Sequence, residues 1–172
     1  MKRTSFSDFN CSISRTLEIV GEWWTPLILR DVMLGVTRFD DIQRDLGIAR
    51  NVLTDRLDAL VEDGILERRA YQERPPRHEY ALTEKGRDLA PVLLAMMAWG
   101  DRWTAGEDGA PVELQHERCG EHTTPKVTCS CCGEALELDE LIAHAGPGGR
   151  VGRGTVVIGE HLSAGPRRLG TD

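Results

Sequence analysis

Four of the chain's five cysteines, Cys119, Cys129, Cys131 and Cys132, crowd into a stretch of 14 residues. Two short motifs hold them, His116-Glu117-Arg118-Cys119-Gly120 and Cys129-Ser130-Cys131-Cys132-Gly133. Each runs ligand, two residues, ligand, glycine. That is the form of a zinc knuckle, and two knuckles supply the four ligands of a tetrahedral site. The glycine after the second ligand permits the left-handed backbone that turns amides toward sulfur. The expected zinc ligands are His116, Cys119, Cys129 and Cys132, with His122 and Cys131 as competitors. Four protein ligands leave no open position, so such a zinc would be structural and not catalytic. An iron–sulfur centre would need Cys131 as its fourth ligand, crowded against Cys132. The plain alternative is a set of free thiols and a surface histidine in a flexible tail.

A second constellation is basic and polar. Arg50, Asn51, Thr54 and Asp55 open a predicted helix, with Asn51 and Asp55 on the face opposite Leu53 and Leu57. Asparagine can pair with adenine and aspartate can accept from the cytosine amino group, while Arg50 and Arg56 suit phosphates. Arg74 and Arg77 stand at the tip of a predicted hairpin and suit the minor groove or its phosphates. With Arg38, these are the candidate contacts to double-stranded DNA. The competing reading is a solvated helix face with ordinary surface arginines. Asp58, Glu62 and Asp63 favour that reading for the C-terminal half of the helix.

The elements that must carry these groups follow from apolar spacing. Ile13, Leu17 and Val20 form a helical stripe ending near Gly21. Thr25 and Pro26 mark a helix start, and that helix continues to Gly35. Thr37-Arg38-Phe39-Asp40 has the form of a capped helix start, with Phe39, Ile42 and Leu46 as its stripe. After Gly47, Leu53, Leu57, Leu60 and Val61 stripe a helix from about Arg50 to Asp63, closed by Gly64. Two short helices joined around a glycine make a helix-turn-helix. Two strand-like runs follow, Ile65–Tyr71 and His78–Leu82, separated by Glu73-Arg74-Pro75-Pro76-Arg77. A long helix is then predicted from Thr83 to about Trp103, striped by Leu89, Val92, Leu93, Met96, Met97 and Trp103. The fold class is mainly α with a small β-hairpin wing, a winged helix-turn-helix, plus a zinc-ribbon-like appendage. Residues 1–105 form the DNA-binding and dimerisation domain, 106–143 the extension and 144–172 a Gly/Arg/Pro-rich flexible tail in which only Thr155–Ile158 suggests a strand. The terminal helices carry stripes outside the winged core, and a second copy of the chain is the simplest cover for them. Trp23, Trp24, Trp99 and Trp103 fit core and dimer packing, or an aromatic pocket for a small effector.

Composition narrows the class. The 172 residues are 40% hydrophobic and 28% charged, as in a soluble globular chain. The longest near-apolar run, Ala90 to Gly100, is too short to span a bilayer. Met1-Lys2-Arg3-Thr4-Ser5 leads into no apolar segment, so a cytoplasmic location is expected. The net charge is −7, of which residues 1–105 hold −2 and residues 106–172 hold −5. A near-neutral domain can still bind DNA where its arginines share a face.

The residues resemble the HxlR-type transcriptional regulators, a branch close to MarR. Gly21-Glu22-Trp23-Trp24-Thr25-Pro26-Leu27-Ile28-Leu29-Arg30-Asp31 is similar to the opening motif, and Arg38-Phe39-Asp40-Asp41-Ile42 continues it. Val52–Leu57 with Asp63–Arg68 resembles the recognition helix and first wing strand. Pro75–Gly86 resembles the wing exit, and Trp99-Gly100 the late helix. The match runs in order over about residues 10–103. It implies a dimeric winged-helix repressor or activator of adjacent genes. The chain departs from the family at Trp23, where lysine is usual, and at Ala49 and Asn51, where serine and lysine are common, so operator sequence does not carry over.

Members of the family have a cysteine at the position of Cys11, and several sense quinones, aldehydes or oxidants through it. A thiol at a helix N-terminus can have a lowered pKa, and the thiolate is the reactive form. The other reading of Cys11 is a small packed residue. The leading expectation is thus a homodimeric, DNA-binding transcriptional regulator. It responds to electrophiles or oxidants through Cys11, or to a small-molecule effector. The alternative is a winged helix plus zinc ribbon that contacts the transcription machinery without operator specificity. No phosphate loop, nucleophile elbow or open metal site points to an enzyme.

Overall fold

The computed structural model describes residues 5–74 and 76–170. Pro75, one of the two wing-tip prolines, and Met1–Thr4 lie outside the described residues. The chain divides into two compact units, Trp23–Lys126 and a second made of residues up to Glu22 with those from Val127 onward.

The first unit holds the helix-turn-helix and wing. Helices α2 (Trp24–Met33), α3 (Phe39–Leu46) and α4 (Arg50–Glu62) precede strands β1 (Leu66–Gln72) and β2 (Arg77–Leu82). The strands pair antiparallel, from Leu66 opposite Leu82 to Gln72 opposite Arg77. Ile28, Leu29, Val32, Ile42, Ile48, Leu53, Leu57, Leu60, Ile65, Leu66 and Tyr80 are the buried apolar core. The 3.6-residue stripes read from the sequence are its helical part.

The helix starts differ from expectation. The α2 N-cap is Trp23, two residues before the cap read at Thr25, and Thr25 is buried inside the helix. The α3 N-cap is Arg38, without a side-chain cap. Thr37 is drawn into the wing instead: its carbonyl accepts from Tyr80 N–H at 2.8 Å, and Arg38 bridges Glu79 as a short third strand position. The single helix predicted from Thr83 is two. α5 (Glu84–Arg87) is capped by the Thr83 hydroxyl, which accepts from Gly86 N–H at 3.0 Å, and α6 (Ala90–Thr104) begins after a break at Asp88–Leu89. Pro91 explains the break, because it offers no N–H to the preceding turn and its ring crowds the carbonyl four residues back. Gly86 is fixed by close approach: a Cβ there would lie 2.2 Å from the Ile65 carbonyl oxygen.

No residue of α6 is fully buried. Val92, Met96, Trp99 and Trp103 are exposed along one stripe, the two tryptophans at 63% each. Trp23 is 90% exposed. These three tryptophans are therefore not core residues of the chain, and Trp24 is half-buried. Strands β3 (Leu114–His116) and β4 (Glu121–Thr123) form a hairpin that completes the unit.

In the second unit, α1 (Ser12–Val20) exposes Ile13 and Leu17. A strand β5 (Ile142–Ala143) pairs with β6 (Arg167–Arg168), and α7 (Val156–Ala164) lies between them in sequence. The strand suggested at Thr155–Ile158 is thus corrected to the start of a helix. Residues 148–154 also meet distant residues, which local pattern does not reveal. Asn10 Nδ2 donates to the carbonyls of Gly148 (3.1 Å) and Arg150 (3.2 Å), Asp8 pairs with Arg153 at 3.5 Å, and Gly154 lies against the Phe9 ring. No helix among the described residues is long and apolar enough to cross a membrane.

Among the described residues Asp31 is the one buried charge in the winged core, 2% exposed. Its Oδ1 accepts from Arg30 Nε at 2.9 Å and Nη2 at 2.6 Å, and the same Nη2 reaches Asp45 Oδ2 at 3.0 Å. Among the described residues its Oδ2 has no hydrogen-bond partner. Burial pushes the Asp31 carboxyl above its ordinary value of 3.8, against the pull of Arg30. Protonation is then easier in the folded chain than in the unfolded one, so the stability it confers is lost as pH rises through the folded pKa. Arg30→Ala leaves this carboxylate unpaired and should cost about 1–3 kcal/mol near neutral pH. The deficit, read by thermal unfolding from pH 7 downward, should shrink as Asp31 takes up its proton. A deficit independent of pH would show that the pair does not matter in this way.

Candidate nucleic-acid interface

The turn at Gly47–Ala49 sets α4 across α3, and burial of Leu53, Leu57 and Leu60 turns the opposite face of α4 outward. Arg50, Asn51, Thr54 and Asp55 are exposed on it, and Arg56 is half-buried with its own partner. Ala49 provides no side-chain cap, so the first-turn amides of α4 remain open to an anion. The Thr54 hydroxyl donates to the Arg50 carbonyl at 2.9 Å, which leaves its lone pairs for an outside donor.

Two expected arginines are held by aromatic rings that the sequence reading did not pick out. Arg50 lies over Phe39, 4.6 Å from the ring centre, and its Nη1 is 3.4 Å from Asp40 Oδ1. Arg38 lies over Tyr71 at 4.5 Å. Both line a polar cleft of about 500 Å³ between the starts of α3 and α4 and the wing, with Arg77 and His78 on its far side. Cation–π stacking fixes each guanidinium plane while leaving its N–H groups free to donate. The signal was present in the alternation of aromatic and basic residues at 38–39 and 71–77.

The remaining wing arginines divide in two. Arg68 pairs with Asp58 and lies over Tyr80, and Arg69 pairs with Glu67 at 2.5 Å. Arg74 and Arg77 are exposed and have no ion pair among the described residues. The free cations are therefore at the wing tip, where the sequence placed them.

The cysteine motifs fold locally as turns. Gly120 N–H donates to the His116 carbonyl at 2.8 Å, and Cys119 Sγ lies 3.4 Å from His116 Nδ1. Two ligands on one tetrahedral zinc sit about 3.6 Å apart, from ordinary Zn–S and Zn–N lengths. Gly133 N–H donates to the Cys129 carbonyl at 2.9 Å, and Cys129 N–H to the Glu134 carbonyl at 2.8 Å. Gly120 and Gly133 have φ of +73° and +78°, the left-handed backbone expected after each second ligand. Backbone N–H groups of Cys132, then Cys131, hold the Cys129 thiol below its ordinary pKa. His122 is instead turned to Glu113, 3.1 Å away. Among the described residues no three His, Cys, Asp or Glu side chains converge on one point.

Cys11 is the N-cap residue of α1 and is half-buried. The Ser14 backbone N–H, then its hydroxyl, lowers the Cys11 thiol pKa, with smaller help from Ile13 N–H and Arg15 against some burial.

A helix-turn-helix with an exposed polar recognition face and an arginine-tipped wing defines a DNA-binding regulator of the winged-helix class. The HxlR-like helix-turn-helix family matches residues 19–108, and the chain belongs to that family. An uncharacterized HTH-type transcriptional regulator of Mycobacterium tuberculosis is 46% identical over 137 residues, covering 80% of this chain and 87% of the relative. The crystal structure of PA1607, a candidate transcription factor, is similar at TM-score 0.70 and 34% identity, covering 87% of this chain and 99% of that one. The redox regulator HypR in its reduced form is similar at TM-score 0.51 and 35% identity, covering 54% of this chain and 92% of that one. The chain is a DNA-binding transcriptional regulator.

If Arg74 and Arg77 neutralise phosphates, Arg74→Ala with Arg77→Ala should weaken binding to all duplexes alike. The slope of log K against log salt should flatten by about 1 for each lost contact. Titrations at several salt concentrations read this directly, and an unchanged slope would remove the wing from the phosphate contacts.

Proposed function

We propose that the protein is a homodimeric repressor that reads operator DNA with the outward face of α4 and grips flanking phosphates with its wing. The observation that carries this reading is the exposed set Asn51, Thr54 and Asp55 on α4 beside the cleft of Arg38, Arg50 and Arg77. Asn51 and Asp55 read base edges, and Arg38, Arg50, Arg56, Arg74 and Arg77 contact the backbone. The exposed apolar faces of α1 and α6 pair two copies, which would set the spacing of two recognition helices. The lowered pKa of Cys11 suits it to react with a quinone or oxidant and so to loosen binding. The name of HypR as a redox regulator supports that reading.

The test is a fluorescence-anisotropy titration against the chain's own upstream DNA beside a scrambled duplex, with and without a quinone. Tight selective binding, lost on quinone treatment in the native chain and retained in Cys11→Ser, is expected. Equal weak binding to both duplexes would instead favour a protein that acts through contacts with the transcription machinery.

We further propose that His116, Cys119, Cys129 and Cys132 hold one structural zinc. The 3.4 Å spacing of the first pair and the left-handed glycine after each second ligand support it, and nine linking residues give ample reach. Elemental analysis of reduced, metal-replete protein should find one zinc per chain, falling in Cys129→Ser. Material without zinc would remove the site.

A further inference from the structure

α6 has two working faces. Val92, Met96, Trp99 and Trp103 form the exposed stripe, whereas Met97, Ala98 and Asp101 turn toward the β3–β4 hairpin and are half-buried. Between that second face and the hairpin lies a cleft of about 490 Å³. This is the size of a small-molecule site. Half of its lining is apolar, Met97, Ala98, Ala110, Val112, Leu114 and Pro125, and the other half is polar or charged.

Its charges are not balanced in the same way. Glu113 is taken up by His122, 3.1 Å away. Arg102 also lines the cleft, but its guanidinium is held 4.8 Å from the Trp103 ring centre. Asp101 lines this cleft and a second one that adjoins it, bounded by Thr104, Asp108 and Pro111. No hydrogen bond or ion pair engages its carboxylate among the described residues. A half-buried carboxylate at the junction of two clefts whose walls are partly apolar is a poor host for an anion. It suits a cation whose charge meets the carboxylate and whose carbon skeleton covers the walls.

We propose that this cleft binds a small organic cation, an amine or ammonium group on an apolar body, with Asp101 as its counter-ion. The occupant would brace the C-terminal half of α6 against the hairpin and thereby act on the exposed stripe of the same helix. That effector role rests on the regulator reading above, in which the stripe joins two copies. The binding itself does not.

Binding is read first on the full chain without DNA, by tryptophan emission and calorimetry. The probes are 2-phenylethylamine, its trimethylammonium analogue, 2-phenylethanol and 3-phenylpropanoate. Both cations should saturate at one per chain in the millimolar range or tighter. The alcohol should bind at least about tenfold more weakly and the carboxylate not at all. Asp101→Asn should cost the cations about tenfold, and Ala98→Phe, which fills the cleft, should abolish binding while the fold by circular dichroism is kept. Failure of both cations to saturate, equal binding of cation and alcohol, or indifference to both substitutions would each overturn the site. The operator titration repeated with saturating amine then reads the effector role. A several-fold change in DNA affinity is expected, and an unchanged affinity would overturn that role. Because the first measurement contains no DNA, a failure of operator recognition cannot be mistaken for a failure of the cleft.

Discussion

Leu53, Leu57 and Leu60 decide where the recognition residues point. All three are 0–2% exposed and lie on one side of α4. Burying a leucine of this kind is worth roughly 2–5 kcal/mol against alanine, far more than any single surface contact. A rotation of α4 by one residue, about 100°, would expose that face and drive Thr54 and Asp58, or in the other sense Arg56, toward the core. The helix is therefore locked about its axis by apolar packing alone, and the polar face is left free to be chosen for DNA. The wing is tied to the same core. Ile65, Leu66 and Tyr80 are buried in it, and Tyr80 N–H donates to the Thr37 carbonyl just before α3. Movement of the wing would break contacts that also hold the recognition helix.

Electrostatics follow the same logic of local placement. The chain is acidic, yet a phosphate sees only what lies within about one Debye length. Acidic partners are spent on Arg68, Arg69, Arg30 and Arg44, all of which are paired within the fold. Arg38 and Arg50 are oriented by rings, which hold a guanidinium without competing for its donors as a full carboxylate pair would. Arg50 is the mixed case, since Asp40 stands 3.4 Å away and must yield if a phosphate takes its place.

Much of this was legible in the sequence because it depends on local period. The stripes of α3 and α4, the glycine between them and the strand pattern of the wing all lie within short windows, and the helix-turn-helix and hairpin could be read from them. The misreadings share a different cause. Thr37 looked like a cap because a threonine three residues before an acidic residue usually is one, but a strand register 43 residues later claimed its carbonyl. Pro91 was visible, yet a continuous apolar stripe hid the break it makes in the helix. In residues 142–170, α7 and the β5–β6 pair lie beside contacts to Asp8, Phe9 and Asn10, more than 130 residues away in sequence. The neighbouring aromatic and basic residues at 38–39 and 71–77 do not pair themselves, since Tyr71 reaches Arg38 only through folding of the wing.

The state of α6 follows from what a helix needs. Fifteen residues are marginal as an isolated helix in water, so its persistence must come from packing. Yet within its own unit none of its residues is fully buried, and its most apolar stripe faces outward. Pro91 also detaches it from α5, so it gains little from continuity with the wing exit. A helix held this loosely by its own chain is sensitive to whatever covers either face. Occupants of the two faces need not touch to influence each other. Each has only to favour the same helical state, and the coupling between them is then bounded by the difference in each occupant's affinity for that state and its alternative. The weak self-packing of α6 is what would allow such coupling. A helix already sealed into the core, as α4 is, would leave no alternative state for a ligand to select against.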